Sequence, residues 1–100
     1  MFDLGKAMEM KKQMEAISKR LDTITVEGLA GSGERQVSAT FTANRAIRNI
    51  RISPALLQPE SKEELEDLLV LACEKAIQQA QQVAETEARN LALGGGFPGI

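Results

Sequence analysis

Residues 50–71 read Ile50-Arg51-Ile52-Ser53-Pro54-Ala55-Leu56-Leu57-Gln58-Pro59-Glu60-Ser61-Lys62-Glu63-Glu64-Leu65-Glu66-Asp67-Leu68-Leu69-Val70-Leu71, and they contain the change from strand to helix that decides the fold. An alternating strand ends at Ser53-Pro54, because the Pro54 nitrogen carries no hydrogen to give a ladder. Pro59 is a second breaker. Ser61 and Glu64 then stand at capping-box spacing, with the serine hydroxyl facing the third helical amide and the glutamate reaching back. This spacing predicts a helix that opens at Ser61. Glu60, Glu63, Glu64, Glu66 and Asp67 crowd its first turns, where the helix dipole favours negative charge.

Downstream, Leu65, Leu69, Ala72, Ala76 and Val83 form one apolar stripe beside a second of Cys73, Ile77, Ala80, Ala84 and Leu91, so the helix is expected to run to about Leu93. At 1.5 Å per residue it spans roughly 45 Å, whereas a compact chain of this length has a radius of gyration of about 13 Å. Its far end must project. Projecting apolar stripes need cover, from the first helix of the same chain or across a dimer. Gly94-Gly95-Gly96 ends the helix, and Phe97-Pro98-Gly99-Ile100 reads as a mobile tail. A single domain over residues 1–93 with a Gly/Pro tail at 94–100 is therefore expected.

Upstream, Ile24 and Val26 share one face of a first strand, and Gly28, Gly31 and Gly33 read as a loop. Val37, Ala39, Phe41 and Ala43 share one face of a second strand, with Gln36, Ser38, Thr40 and Thr42 on the other. Such alternation implies an antiparallel sheet with one covered side. The third strand, Ala46 to Ile52, puts Arg48, Ile50 and Ile52 on one face and Ile47, Asn49 and Arg51 on the other. Before the sheet, Ala7, Met10, Met14, Ile17, Leu21 and Ile24 follow a 3-4-3-4-3 spacing, which predicts a helix from about Asp3 to Asp22 with one apolar seam. Lys12 and Lys19 point away from that seam, while Lys6, Lys11 and Arg20 flank it. Met10, Met14, Ile17, Leu21, Ile77 and Val83 are the residues expected to pack helix on helix or subunit on subunit.

The chain of 100 residues carries a net charge of -2, unevenly spread. Residues 1–29 balance five basic against five acidic groups, residues 30–59 hold four against one, and residues 60–100 hold three against eight. The basic middle consists of Arg35, Arg45, Arg48 and Arg51, whose planar guanidinium groups suit bidentate phosphate contact. These arginines serve equally well as snorkelling side chains at a sheet edge or as partners of the acidic helix. With no histidine and one cysteine, His-based triads, Cys-His dyads and the usual zinc sets are excluded. Cys73 lies among Leu71, Ala72 and Ala76 and reads as a small buried hydrophobe. The acidic helix start reads as a set of dipole partners rather than a cation site. Gly28-Leu29-Ala30-Gly31-Ser32-Gly33 joins two strands and lacks the Lys-Ser/Thr of a phosphate loop. Neither catalysis, a cofactor, a metal nor a small-molecule substrate is expected. Three phenylalanines without Trp or Tyr disfavour a base-stacking platform, and duplex backbone contact is what remains for nucleic acid. No apolar run exceeds the six residues Leu68 to Cys73, so no membrane span or export signal is expected, and the cytoplasm is the expected compartment.

Several of these pieces, taken in order, resemble the YbaB/EbfC family of small bacterial nucleoid-associated proteins. They are the Met- and Lys-rich first helix from Met8 to Leu21, the Val26-to-Gly33 hairpin, the Ile-x-Pro-x-Leu-Leu-like turn, the Leu65-Glu66-Asp67-Leu68 helix start and the Gly/Pro tail. The turn Ala43-Asn44-Arg45-Ala46 departs from the glycine-containing turn usual in that family. The resemblance implies an α+β chain in helix-strand-strand-strand-helix order, a tweezer-shaped homodimer and association with double-stranded DNA. On that footing Arg35, Arg45, Arg48, Arg51, Lys11, Lys12 and Lys19 are the candidate DNA contacts. The alternative reading is a protein-interaction module, an adaptor for recombination or repair factors, favoured by the net acidity and by the uncharged Gln78, Gln79, Gln81 and Gln82.

Overall fold

A computed structural model of the chain describes residues 4–92, which follow the order α1 (Leu4–Thr23), β1 (Thr25–Ser32), β2 (Arg35–Thr42), β3 (Ile47–Ile52), two short 3-10 turns (Pro54–Leu56 and Pro59–Ser61) and α2 (Lys62–Ala92). This is the α+β arrangement expected from the sequence. The glycine stop and the tail at 94–100 lie outside the described residues.

The strands form an antiparallel sheet in the order β1-β2-β3. Residues directly opposite one another share a face, so Ala30, Val37 and Ile52 make one row, and Gly28, Ala39 and Ile50 the next. Val37 and Ala39 are fully buried on this face by α2, whose Ala72, Ala76 and Ala80 are equally inaccessible. The approach is close enough to be backbone on backbone. A Cβ built on Gly28 would stand 2.1 Å from the Ala72 carbonyl oxygen and 2.6 Å from the Ala76 amide nitrogen. Gly28 is therefore a packing residue within β1, not part of a loop as the glycine cluster suggested. Only Gly33 and Glu34 connect β1 to β2, with Gly33 at a φ of 61° that suits the first position of a tight hairpin turn.

At the margin of the sheet, α2 also engages β1 through polar side chains. Ala43 N–H donates to the Ile24 carbonyl, so alternate carbonyls further along β1 face outward. Two of these, on Glu27 and Leu29, accept from Gln79 Nε2 at 2.7 Å and Lys75 Nζ at 3.0 Å. β3 forms the other margin, and its register slips between Thr40 and Phe41: Thr40 faces Asn49, while Phe41 faces Ile47. Arg48 is the extra residue of a bulge. The strict alternation that put Arg48 with Ile50 and Ile52 fails here, and Ile47 takes the place opposite Phe41.

The entry to α2 differs from the expected capping box. Helical turning begins earlier, at Pro59, whose fixed φ suits a first helical position, and Ser61 N–H donates to the Gln58 carbonyl. The Ser61 hydroxyl, 6% exposed as a residue, accepts from Arg35 Nη2 at 2.8 Å. Glu64 holds the same guanidinium through both carboxylate oxygens, with Nε to Oε2 at 3.0 Å. Ser61 and Glu64 are thus linked through Arg35, and Nη1 reaches the Ala55 carbonyl at 3.4 Å. This clasp ties the start of β2 to both 3-10 turns and to α2, around the fully buried Leu56.

The radius of gyration is 18.7 Å, well above the roughly 13 Å of a compact chain, as a projecting helix requires. α1 meets the rest of the chain near its C-terminal end. Leu21 is buried, Ala7 and Ile17 are half-buried, and Arg20 Nε pairs with Glu87 Oε2 at 2.7 Å. Met10 and Met14 share the seam with Leu21 yet remain 61% and 68% exposed. Ile77 packs half-buried against the core, and Val83 is half-buried beside Ile24 and Val26.

Two outcomes follow from this packing. Gly28→Ala should destabilise the fold by about 1–3 kcal/mol or more, since strand and helix backbones must separate to admit the methyl group. An unchanged urea midpoint would show that the two backbones do not touch. The Glu64 carboxyl is held below its ordinary value chiefly by the hydrogen bond from Arg35, with the arginine charge adding to that and partial desolvation opposing it. Because the folded value is the lower one, this stabilisation is complete above the ordinary glutamate value of about 4.3 and is lost as pH falls through the folded value. Chemical denaturation of Glu64→Gln and the parent should therefore differ most at neutral pH and converge as pH falls through the folded value.

Candidate nucleic-acid interface

The four arginines of the basic middle have different surroundings. Arg35 is committed to Glu64, Ser61 and Ala55, which leaves its guanidinium with few free donors. Arg45, Arg48 and Arg51 are exposed and, among the described residues, make no ion pair or side-chain hydrogen bond. Each is positioned by a different local feature. Arg51 lies opposite Ser38 and in the same row as Leu29, on the sheet face away from α2. Arg48 occupies the bulge. Both therefore stand on the marginal strand, where charge also discourages pairing with another sheet.

Arg45 sits in the β2–β3 loop. Arg45 N–H donates to the Thr42 carbonyl and Thr42 N–H to the Ala46 carbonyl, each at 2.8 Å, closing a three-residue connection. Such a loop needs its third residue in the left-handed region, and Arg45 has a φ of 67°. A non-glycine residue there costs about 1–2 kcal/mol, so this chain keeps a cation where glycine would be easier. The Thr42 hydroxyl supports the loop by accepting from the Asn44 and Ala46 amides at 3.2 Å.

Asn44 joins this loop to α1. Its Nδ2 donates to the Ser18 carbonyl at 2.8 Å and to Asp22 Oδ1 at 2.6 Å. Ser18 and Asp22 are one helical turn apart, so a single side chain bridges the last turns of α1. Arg45 follows Asn44 and Lys19 follows Ser18 along the chain, and both are exposed. Lys12 lies seven residues before Lys19, which returns it to nearly the same side of α1, and Lys11 is its neighbour. Lys11, Lys12 and Lys19 are all exposed and unpaired among the described residues. From Arg51 through Arg48 and Arg45 to Lys19 and Lys12, the cations follow β3 for about 20 Å and α1 for about 10 Å. The sequence pattern singles out these cations but not Asn44, whose partners lie 22 and 26 residues away along the chain.

Acidic groups stand among these cations as well as apart from them: Glu9, Glu15 and Asp22 are exposed on α1, and Glu85 lines the same depression as Arg45. Glu60, Glu63, Glu66 and Asp67 are exposed at the start of α2, where Lys62 pairs with Glu66 at 3.7 Å. Among the described residues no group of three or more acids or Cys could hold a metal ion. An open groove of about 470 Å³ between β1 and α2 is lined by Ile24, Val26, Val83 and polar neighbours. No described helix is long and apolar enough to cross a membrane.

This arrangement presents separated cations at an edge rather than a pocket of converging groups. It suits a polyanion contacted over a distance. Comparison with known proteins agrees with the chain's order of elements and with the kind of partner. A Beijerinckia indica protein named nucleoid-associated protein is 41% identical over 95 residues, covering 95% of this chain and 92% of its own length. A Roseiflexus relative of the same name is 39% identical over 94% of this chain and 91% of its own length. The crystal structure of an uncharacterized Helicobacter pylori protein superposes with a TM-score of 0.68 over 83% of this chain and 94% of that one, at 22% identity, and so shares the fold. The model of the YbaB/EbfC DNA-binding family matches residues 2–96, and the chain belongs to that family.

Proposed function

We propose that this protein is a nucleoid-associated homodimer that binds duplex DNA mainly through the phosphate backbone, and in doing so affects nucleoid organisation and gene expression. The observation that carries this reading is the set of exposed, unpaired cations, with Arg51, Arg48 and Arg45 on the marginal strand and its loop and Lys19 and Lys12 on α1. The net charge of -2 does not oppose it, because a duplex responds to the local field at the contact. With three phenylalanines and no Trp or Tyr, the chain has little with which to stack on bases, so phosphate contact dominates over sequence readout. No reaction is assigned to it.

Dimerisation is supported by the apolar surface left on α1. Leu4, Met8, Met10 and Met14 are all at least 60% exposed, and a second copy of the helix would cover them. The same surface favours a second reading, in which the helical arm holds a different protein as an adaptor. Sedimentation at low micromolar concentration separates the two, since a homodimer sediments at twice the chain mass and a stable 10.8 kDa monomer would remove the dimer.

DNA binding should depend steeply on salt and weakly on sequence. If a dimer neutralises about four to six phosphates, log affinity falls with log salt at a slope of roughly -4 to -5. Replacing Arg45, Arg48 and Arg51 together by Ala should flatten that slope and weaken binding alike on all duplexes. Mobility shifts at two salt concentrations measure both effects. A folded triple variant with unchanged affinity would remove the phosphate-contact reading and leave the adaptor reading.

A further inference from the structure

The cations of this chain stand on two parts of the fold, the sheet with its β2–β3 loop and α1. Arg45, Arg48 and Arg51 ride on the sheet, whereas Lys12 and Lys19 ride on a helix that touches the sheet mainly through its last turns. Phosphates on a duplex have fixed spacing, so cations on separate elements bind best when those elements are already aligned, and any ordering left to the binding step costs affinity. A connection that orders them beforehand strengthens binding without touching the DNA.

We infer that Asn44 is a positioning residue that locks the arginine-bearing β2–β3 loop to α1, so that the sheet arginines and the helix lysines engage one duplex as a single surface. The inference rests on the phosphate-binding reading above. Three features of the junction carry it. The Asn44 amide donates to two acceptors on α1, the Ser18 carbonyl at 2.8 Å and the Asp22 carboxylate at 2.6 Å, one of them charged and therefore a strong partner. Its backbone N–H is anchored to the Thr42 hydroxyl, so the side chain reaches α1 from a fixed base. The loop is tight, with Arg45 in the left-handed region immediately after Asn44, so a shift of Asn44 carries Arg45 with it. Leu21 also lies beside Ala43, Asn44 and Arg45, and the Ala43 N–H donates to the Ile24 carbonyl just after α1, but Asn44 is the loop side chain that hydrogen-bonds to α1 itself.

The test compares three backgrounds: the parent, Asn44→Ala, and the exchanged pair Asn44→Asp with Asp22→Asn. The exchange keeps the net charge and restores the amide-to-carboxylate hydrogen bond between positions 44 and 22 in the opposite sense, while giving up the bond to the Ser18 carbonyl. In each background the salt dependence of binding to a random duplex is measured with and without Lys12→Ala and Lys19→Ala. In the parent, the lysine changes should weaken binding about tenfold at about 0.1 M salt and reduce the slope by about one for each phosphate no longer neutralised. In Asn44→Ala, binding should already be weakened and the lysine changes should add little; in the exchanged pair, which keeps one of the two ties, the lysine effect should return in part.

An equal lysine effect in all three backgrounds would overturn the inference, as would no lysine effect in the parent. The phosphate-binding reading would survive either result, provided the triple arginine variant still lost affinity. Should Asn44→Ala fail to fold, the exchanged pair is compared with Asn44→Asp alone, in which two carboxylates face one another. Equal lysine effects in those two would overturn the inference as well. Thermal melts of every variant separate loss of fold from loss of alignment.

Discussion

Backbone contact between β1 and α2 at Gly28 is the constraint from which the rest of the molecule follows. A helix that approaches a strand closely enough to exclude one methyl group must present its smallest side chains, and Ala72, Ala76 and Ala80 do so. The core is correspondingly thin, built from alanines, Val37, Phe41 and Leu56 rather than interlocked large residues. Because α2 is held so tightly over β1, its continuation beyond the sheet leaves along a fixed line, and α1 returns beside it. The position of the arm is thereby decided at its root.

A thin core makes the polar ties at its periphery more important. The Arg35 clasp is one, since it joins four separate segments through a single guanidinium that is planar and rich in donors. The Asn44 junction is another. They stand at opposite ends of β2, one fastening the entry to α2 and the other the exit from α1. Polar residues thus hold the two helices where small apolar contacts alone leave them under-restrained.

Much of the architecture was legible from local pattern. The α1 seam, the alternation of Val37, Ala39 and Phe41, and the breakers at Pro54 and Pro59 each report on residues a few positions apart, and those elements appear where expected. What local pattern could not reveal were pairings over long separations. Ser61 and Glu64 have the spacing of a reciprocal cap, but Arg35, 26 and 29 residues earlier, offers their oxygens a charged donor. Gly28 looked like a loop residue because the need for bare backbone arises only when a helix 44 or more residues later lands on it. The bulge at Arg48 likewise depends on how β3 meets β2 rather than on its own alternation. Among the candidate contacts, exposure separates Arg45, Arg48 and Arg51 from Arg35, a distinction that needed the position of α2.

The side chains of Lys75 and Gln79, laid over the outward carbonyls of β1, give the sheet one closed margin and one open margin. A foreign strand seeking to extend the sheet finds those acceptors occupied at β1. At β3 it finds free main chain, interrupted by a bulge and bearing Arg48 and Arg51. If duplex contacts Arg48 and Arg51 as proposed, growth of the sheet by strand addition competes with DNA for the same edge, and bound duplex shields the margin most open to strand pairing. Conversely, an assembly that must remain open to DNA has to be built through helices and sheet faces, leaving that margin bare.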